Sequence, residues 1–226
     1  MVFETKILSQ REVAKGTHEV TFERPASFAF QAGQYMQAAV PKLTHSDAKG
    51  ASRLFSIASS PYDLETLRIV FRVSGSGFKE TLRTLPIGSA VVLEQAAGNF
   101  LLSQTLARPQ VFIAGGVGIS PFMSYLQQSV PNEWDQPITL FYGNQNPESA
   151  AYLSELTQMA MQQKQFSLKE IYKRPTLELF KKLTDKHSGA MWFVVGPPAM
   201  IALTVNVLQA GGIAPEHIRT ESFEGY

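Results

Sequence analysis

The chain contains no cysteine. Disulfides, cysteine-ligated zinc, cysteine-bound iron–sulfur clusters and thiol catalysis are therefore excluded within it. It is equally short of net charge, since 20 Lys and Arg face 19 Asp and Glu for a balance of +1 at pH 7. With both signs interspersed, neither nucleic acid nor an anionic membrane has an electrostatic case as the main partner. No apolar run reaches the roughly 18 residues that a membrane span needs. The start, Met1-Val2-Phe3-Glu4-Thr5-Lys6, lacks a basic-then-apolar signal pattern. These absences lead to the expectation of a soluble cytoplasmic protein. What is present is core material: 44% hydrophobic residues and 15 phenylalanines in 226 residues, enough for one large domain or two small ones.

Two patterns follow one another along the chain. Up to about residue 100, short β-type segments alternate with turns: Thr17-His18-Glu19-Val20-Thr21-Phe22, a run from Gln34 to Val40 after Gly33, Leu67 to Val73, and Ala90 to Glu94. Such spacing predicts a small antiparallel barrel, with one short helix over 78–85 stopped by Pro86. Residues 43–51 read as an exposed loop to which no chemistry is assigned. After Pro109 the pattern becomes α/β. Val111-Phe112-Ile113-Ala114 is continuously apolar, as a strand buried on both faces requires. Further strands are expected over 138–142, 166–172, 191–195 and 217–221. Helices are expected from Asn146 and over 199–209, the last ending at Gly211-Gly212.

Three stretches carry candidate chemistry. In Arg53-Leu54-Phe55-Ser56-Ile57, strand geometry puts Arg53 and Phe55 on one face and Leu54 and Ser56 on the other. Arg53 is either a bidentate phosphate clamp or an ordinary surface arginine. Gly75-Ser76-Gly77-Phe78-Lys79 opens the short helix, where free backbone N–H groups suit a pyrophosphate, or simply form a capped start. Gly115-Gly116-Val117-Gly118-Ile119-Ser120-Pro121 joins an apolar strand to a helix, with Ser120 as expected N-cap and Pro121 at the first position. This is not the dehydrogenase fingerprint: Pro121 stands at the third glycine, and Leu140-Phe141-Tyr142-Gly143 stands where an acid should follow.

In their order and spacing these motifs, with Gly196-Pro197-Pro198-Ala199-Met200 and the terminal Glu221-Ser222-Phe223-Glu224-Gly225-Tyr226, resemble the ferredoxin–NAD(P)H reductase family. The resemblance implies that Arg53 pairs with the flavin phosphate, Phe55 packs on the flavin and Ser56 sits beside its reactive edge. Leu54, Ile57 and the strand end Phe71-Arg72-Val73 join the same flavin site. Gly77, Phe78 and Lys79 would hold the flavin diphosphate, with Lys79 where Ser or Thr is common. Gly116, Val117, Gly118, Ser120 and Pro121 would bind the nicotinamide cofactor's pyrophosphate, Val117 replacing a common threonine. Gln145 stands where arginine is common after Tyr142-Gly143-Asn144. Gly196, Pro197, Pro198 and Met200 would face the nicotinamide, with Val195 at a position that is cysteine in many relatives. Lys173 and Arg174 either bind a 2′-phosphate or are solvated charges, which leaves NADH or NADPH open. Tyr226, anchored by Phe223, would stack on the isoalloxazine or be a tail, and Glu224 or Glu221 would lie near the transferred hydride.

The expectation is therefore a β plus α/β protein: a six-stranded-type antiparallel flavin-binding barrel over 1–105, then a parallel-sheet nucleotide-binding domain over 106–226, with the active site in the cleft between them. The implied cofactors are FAD and NAD(P)H, with Ser56, Glu224 and Tyr226 as catalytic residues and no metal. The implied activity is hydride transfer from NAD(P)H to bound FAD, then electrons to a separate acceptor: ferredoxin, flavodoxin, an oxygenase component or a small quinone. Two alternatives are an NAD(P)H:flavin reductase that uses free flavin and a non-catalytic flavoprotein relay subunit. Val195, Val117 and Gln145 keep the latter open.

Overall fold

A computed structural model describes residues 1–73, 75–102, 107–129, 134–173 and 177–222. The chain divides into two compact units. The first holds strands β1 (Val2–Ala14), β2 (Thr17–Glu23), β3 (Tyr35–Ala39), β4 (Ser52–Ser56), β5 (Thr66–Arg72) and β6 (Ala90–Glu94). They form one antiparallel sheet in the order β4-β3-β6-β1-β2-β5. Its two ends meet where Ile57 bridges Ile69 and the Ala58 N–H donates to the Arg68 carbonyl at 2.7 Å. Closure removes the exposed strand edges that an open sheet leaves. Alternation then places Ile7, Val20, Phe22, Met36, Ile57, Ile69, Val91 and Leu93 in one core.

Helix α1, Gly77–Thr84, lies one residue ahead of the span expected. Ser76 caps it, its hydroxyl accepting from the Lys79 N–H, and Leu85 ends it before Pro86. Phe78 and Leu82, four residues apart and fully enclosed, turn its apolar stripe into that core. Strand β1 goes beyond the sequence reading. Only Phe3 and Ile7 of its 13 residues are buried, so it carries almost no alternation to read.

In the second unit five parallel strands run in the order β11-β10-β7-β8-β9: β7 (Gln110–Gly115), β8 (Ile138–Gly143), β9 (Phe166–Ile171), β10 (Met191–Gly196) and β11 (Ile218–Ser222). All five agree with the expected strands to within about a residue; β7, β8 and β10 are largely buried runs, whereas β9 and β11 at the sheet edges are mostly exposed or half-buried. Helices α3 (Leu153–Gln162), α4 (Leu177–Lys186) and α5 (Pro198–Ala210) complete the unit. Helix α4 too goes beyond the sequence reading.

Two expectations are corrected. The helix expected from Asn146 is a short 3-10 turn, Pro147–Ser149, closed by an Asn146–Ser149 capping box. Helix α3 starts only after Tyr152, whose φ is 61°; the Tyr142 hydroxyl donates to the Ala151 carbonyl just before it. Ser120 is not the N-cap of α2 (Ser120–Leu126), because a 3-10 turn over Gly116–Ile119 runs straight into that helix. Helix α2 is buried at every residue. It groups with the first unit, where the Ser124 hydroxyl donates to the Ser59 carbonyl at 2.7 Å and Phe122 meets Phe100 edge-on. No helix among the described residues is long and apolar enough to cross a membrane.

Gly33 is where the barrel tolerates no side chain. Its φ is +97°, and a Cβ there would lie 1.9 Å from the Phe100 carbonyl oxygen. Gly16 has a similar φ of +67° but open space around it. Gly16→Ala should therefore cost about 1–2 kcal/mol, the left-handed penalty alone, and Gly33→Ala clearly more. Urea unfolding of both variants checks this, and equal losses would mean that the Phe100 backbone yields freely.

Candidate functional site

Pairing of β3 with β4 sets Arg53 opposite Ala38 and Phe55 opposite Met36, both partners being fully buried. Arg53 and Phe55 therefore share one face, as expected, and it is the interior face. Phe55 is 6% exposed and packs against Phe71 and Phe78, whereas the resemblance puts its ring along a flavin. Leu54 is exposed, Ser56 and Ile57 are buried, and Arg72 and Val73 are half-buried at the end of β5.

Arg53 is not the open clamp the motif implies. One guanidinium nitrogen, Nη1, donates to the carbonyls of Lys49, Gly50 and Ser52, and Nη2 pairs with the Asp47 carboxylate. Its Nε is enclosed without a hydrogen-bond partner. Asp47 Oδ2 accepts from the Ser76 hydroxyl at 2.7 Å and from the Phe78 N–H at 2.9 Å. The donors at the start of α1 are thus met by a carboxylate of the chain itself. The Phe78 N–H, the Ser76 hydroxyl, the Lys49 N–H and Arg53 hold that carboxyl well below the usual carboxylate range. The loop to which the sequence assigned no chemistry supplies this group. Asp47 and Ser76 lie 29 residues apart, a separation at which no local pattern signals a contact.

Lys79 lies in the first turn of α1 and is 5% exposed. Burial, then the nearby Arg53 and Lys49 charges, bring its ammonium down to about 8, with Asp47 opposing. Arg53 and Lys49 thus disfavour the Lys79 ammonium, and Asp47, paired with Arg53, favours it.

In the second unit the expected cofactor residues collect at one edge. The three central strands of the sheet each end in glycine at their carboxyl ends: Gly115, Gly143 and Gly196. A Cβ on Gly118 would lie 2.5 Å from the Val195 carbonyl oxygen, and one on Gly115 would lie 2.6 Å from Met200 Sδ. These contacts bring the Gly116–Ile119 turn down onto the end of β10, with Gly116 at φ 54°. The Tyr142 hydroxyl donates to the Gly116 carbonyl at 3.2 Å and steadies the turn. Val117 and Met200 are half-buried, and Lys173, Pro197 and Pro198 exposed; Ser120 and Pro121, in α2, are buried and belong to the first unit. Val195 is fully enclosed, paired with Ala114 and Glu221 of the adjoining strands. Asn144, just past β8, holds both side-chain amide atoms enclosed without a partner; the sequence reading passed over it although it directly follows Tyr142-Gly143. Arg174, Phe223, Glu224 and Tyr226 lie outside the described residues. Among the described residues no cluster of His, Asp or Glu is built to hold a metal.

A lysine pressed down to about 8 binds fewer protons folded than unfolded between that value and its ordinary 10.5. Stability should therefore rise with pH across that window and lose this increment as pH falls through 8. Lys79→Met should flatten the rise, as read by urea unfolding from pH 7 to 10. An identical slope in the variant would mean that Lys79 titrates as an exposed lysine does.

Residues 112–206 match the oxidoreductase NAD-binding domain family. The chain is 30% identical over 175 residues to the carnitine monooxygenase reductase subunit of Escherichia coli, covering 76% of this chain and 53% of that protein. It is 27% identical over 226 residues to the reductase component of phenol 2-monooxygenase from a Pseudomonas species, covering 92% and 61%. The chain thus spans little more than half the length of these relatives. Among solved structures, a ferredoxin NADP+ reductase from Neisseria gonorrhoeae, with bound FAD and NADP, superposes with a TM-score of 0.82 at 21% identity, covering 98% of each chain. At that identity the likeness is one of fold. The six-stranded antiparallel and five-stranded parallel sheets thus share the fold of that reductase, and residues 112–206 belong to the oxidoreductase NAD-binding domain family.

Proposed function

We propose that this chain is an NAD(P)H-dependent, FAD-containing reductase that passes electrons to a separate acceptor, an oxygenase component or a ferredoxin-type protein. Residues 1–105 would carry the flavin and residues 106–226 the nicotinamide cofactor, in the cytoplasm. The observation that carries the reading is the glycine edge of the second unit. Gly115, Gly118 and Gly196 pack backbone and Met200 so closely that the turn presents main-chain groups rather than side chains, which is what a pyrophosphate needs. That turn lies in the stretch matching the oxidoreductase NAD-binding domain. The reductase components among the relatives support an oxygenase as acceptor.

When bound, a flavin accepts a hydride from reduced nicotinamide and releases electrons one or two at a time. The protein's own part is to hold and align. Arg53 and the N–H groups at the start of α1 would take the flavin's phosphates, and the enclosed, unpartnered Arg53 Nε fits that role. Asn144 and the Gly116–Ile119 turn would take the nicotinamide cofactor. Ser56, Glu224 and Tyr226 would take the roles their motif positions imply, with Ser56 and either Glu224 or Glu221 near the transferred hydride and Tyr226 stacked on the flavin until displaced. Val195 keeps bulk at the nicotinamide position without a sulfur.

Arg53→Ala should lower flavin affinity by roughly tenfold to a hundredfold, the cost of about one or two charge-assisted hydrogen bonds. Flavin retained at full occupancy through gel filtration would remove Arg53 from the site. Anaerobic mixing of the flavin-loaded protein with NADH and with NADPH should bleach the flavin with at least one of them. No bleaching with either would sink the reductase reading in favour of the relay subunit. Protein that purifies colourless but reduces added flavin would identify flavin as a substrate instead.

A further inference from the structure

The start of α1 is closed from outside by the loop that precedes β4. The Ser46 and His45 carbonyls press onto Gly77 so closely that a Cβ there would lie 2.2 and 2.7 Å away. Further in, the Thr44 N–H donates to Thr81 Oγ1 at 3.0 Å, and the His45 N–H to the same oxygen at 3.3 Å. Of residues 43–50 only Leu43 and Asp47 are more than superficially covered; the other six are exposed. The Asp47 side chain, 6% exposed, is the loop's polar anchor. Its four donors are the Lys49 and Phe78 N–H groups, the Ser76 hydroxyl and Arg53.

That donor set is one a phosphate would recruit: a helix N-terminus, a hydroxyl and a guanidinium. One carboxylate meets it incompletely. Arg53 Nε stays enclosed and without a partner although the residue is 6% exposed. Of the cationic side chains nearby, only Arg53 pairs with that carboxylate directly, while the buried Lys79 lies in the same first turn of α1. A phosphate-bearing ligand carries more charge and more acceptor oxygens than Asp47 does. A loop with so few covered residues opens at low cost.

We propose that Asp47 is an internal competitor for the flavin's phosphate, and that residues 43–51 form a strap which a phosphate-bearing flavin displaces when it binds. The inference rests on the flavin reading above and adds a specificity determinant to it. The carboxylate weakens FAD and FMN through their phosphates and leaves riboflavin, which has none, unaffected. It also keeps the buried Arg53 charge neutralised while no ligand is bound.

Titrating the parent and Asp47→Asn with FAD and with riboflavin tests this. Asparagine keeps an acceptor for the Phe78 N–H and removes the charge. FAD should bind the variant about tenfold more tightly, with riboflavin unchanged. Unchanged or weaker FAD binding, or equal tightening of both ligands, would overturn the proposal. Absence of binding by either ligand to either protein would instead bring down the flavin reading, and this inference with it. If Asp47→Asn does not fold, the parent alone decides. Tryptic cleavage after Lys49 should speed up on saturation with FAD but not with riboflavin, and an unchanged rate overturns the strap.

Discussion

A guanidinium enclosed at the end of a barrel cannot be left unpaired, and much of the first unit is arranged around that constraint. Breaking a buried pair by removing one partner costs about 3–5 kcal/mol. Arg53 faces inward because β4 pairs with β3 in a register that points it there. Three carbonyls and Asp47 then meet its donors. The same carboxylate caps α1 through the Phe78 N–H and the Ser76 hydroxyl. One ionic contact therefore ties together β4, the 43–51 loop and the helix that plugs the core with Phe78 and Leu82.

The second unit is organised by close approach rather than by charge. Gly115 and Gly196 leave room for Met200, and Gly118 leaves room for the Val195 carbonyl. Parallel strands buried on both faces need apolar runs, while their carboxyl ends must stay small where backbone is to meet a ligand. The enclosed and unpartnered Asn144 amide at that edge fits the same purpose. The two units are thus organised in different ways, one around an ionic contact and the other around close main-chain packing.

Meeting the donors at the start of α1 with an aspartate of the chain lets the barrel fold around a paired guanidinium. The barrel reaches a neutralised state before any ligand arrives, and ligand affinity becomes a difference between two anions at one set of donors.

The sequence by itself determined the two sheets and most of their members. Buried strands such as Val111-Phe112-Ile113-Ala114 are apolar throughout, and turn residues bound them, so periodicity and punctuation sufficed. It also determined where the glycine turn and the helix start of α1 fall, because local backbone demands select Gly, Ser and Pro directly. It did not reveal β1, whose residues are mostly exposed. Nor did it reveal that the helix from Asn146 is interrupted, since the Tyr142 hydroxyl that takes the Ala151 carbonyl comes from another element. The inward direction of Arg53 and Phe55 and the role of Asp47 were decided only by tertiary structure. Strand alternation says which residues share a face, but register against β3 says which face is inside. An Asp47–Ser76 contact across 29 residues exists only once the barrel has closed.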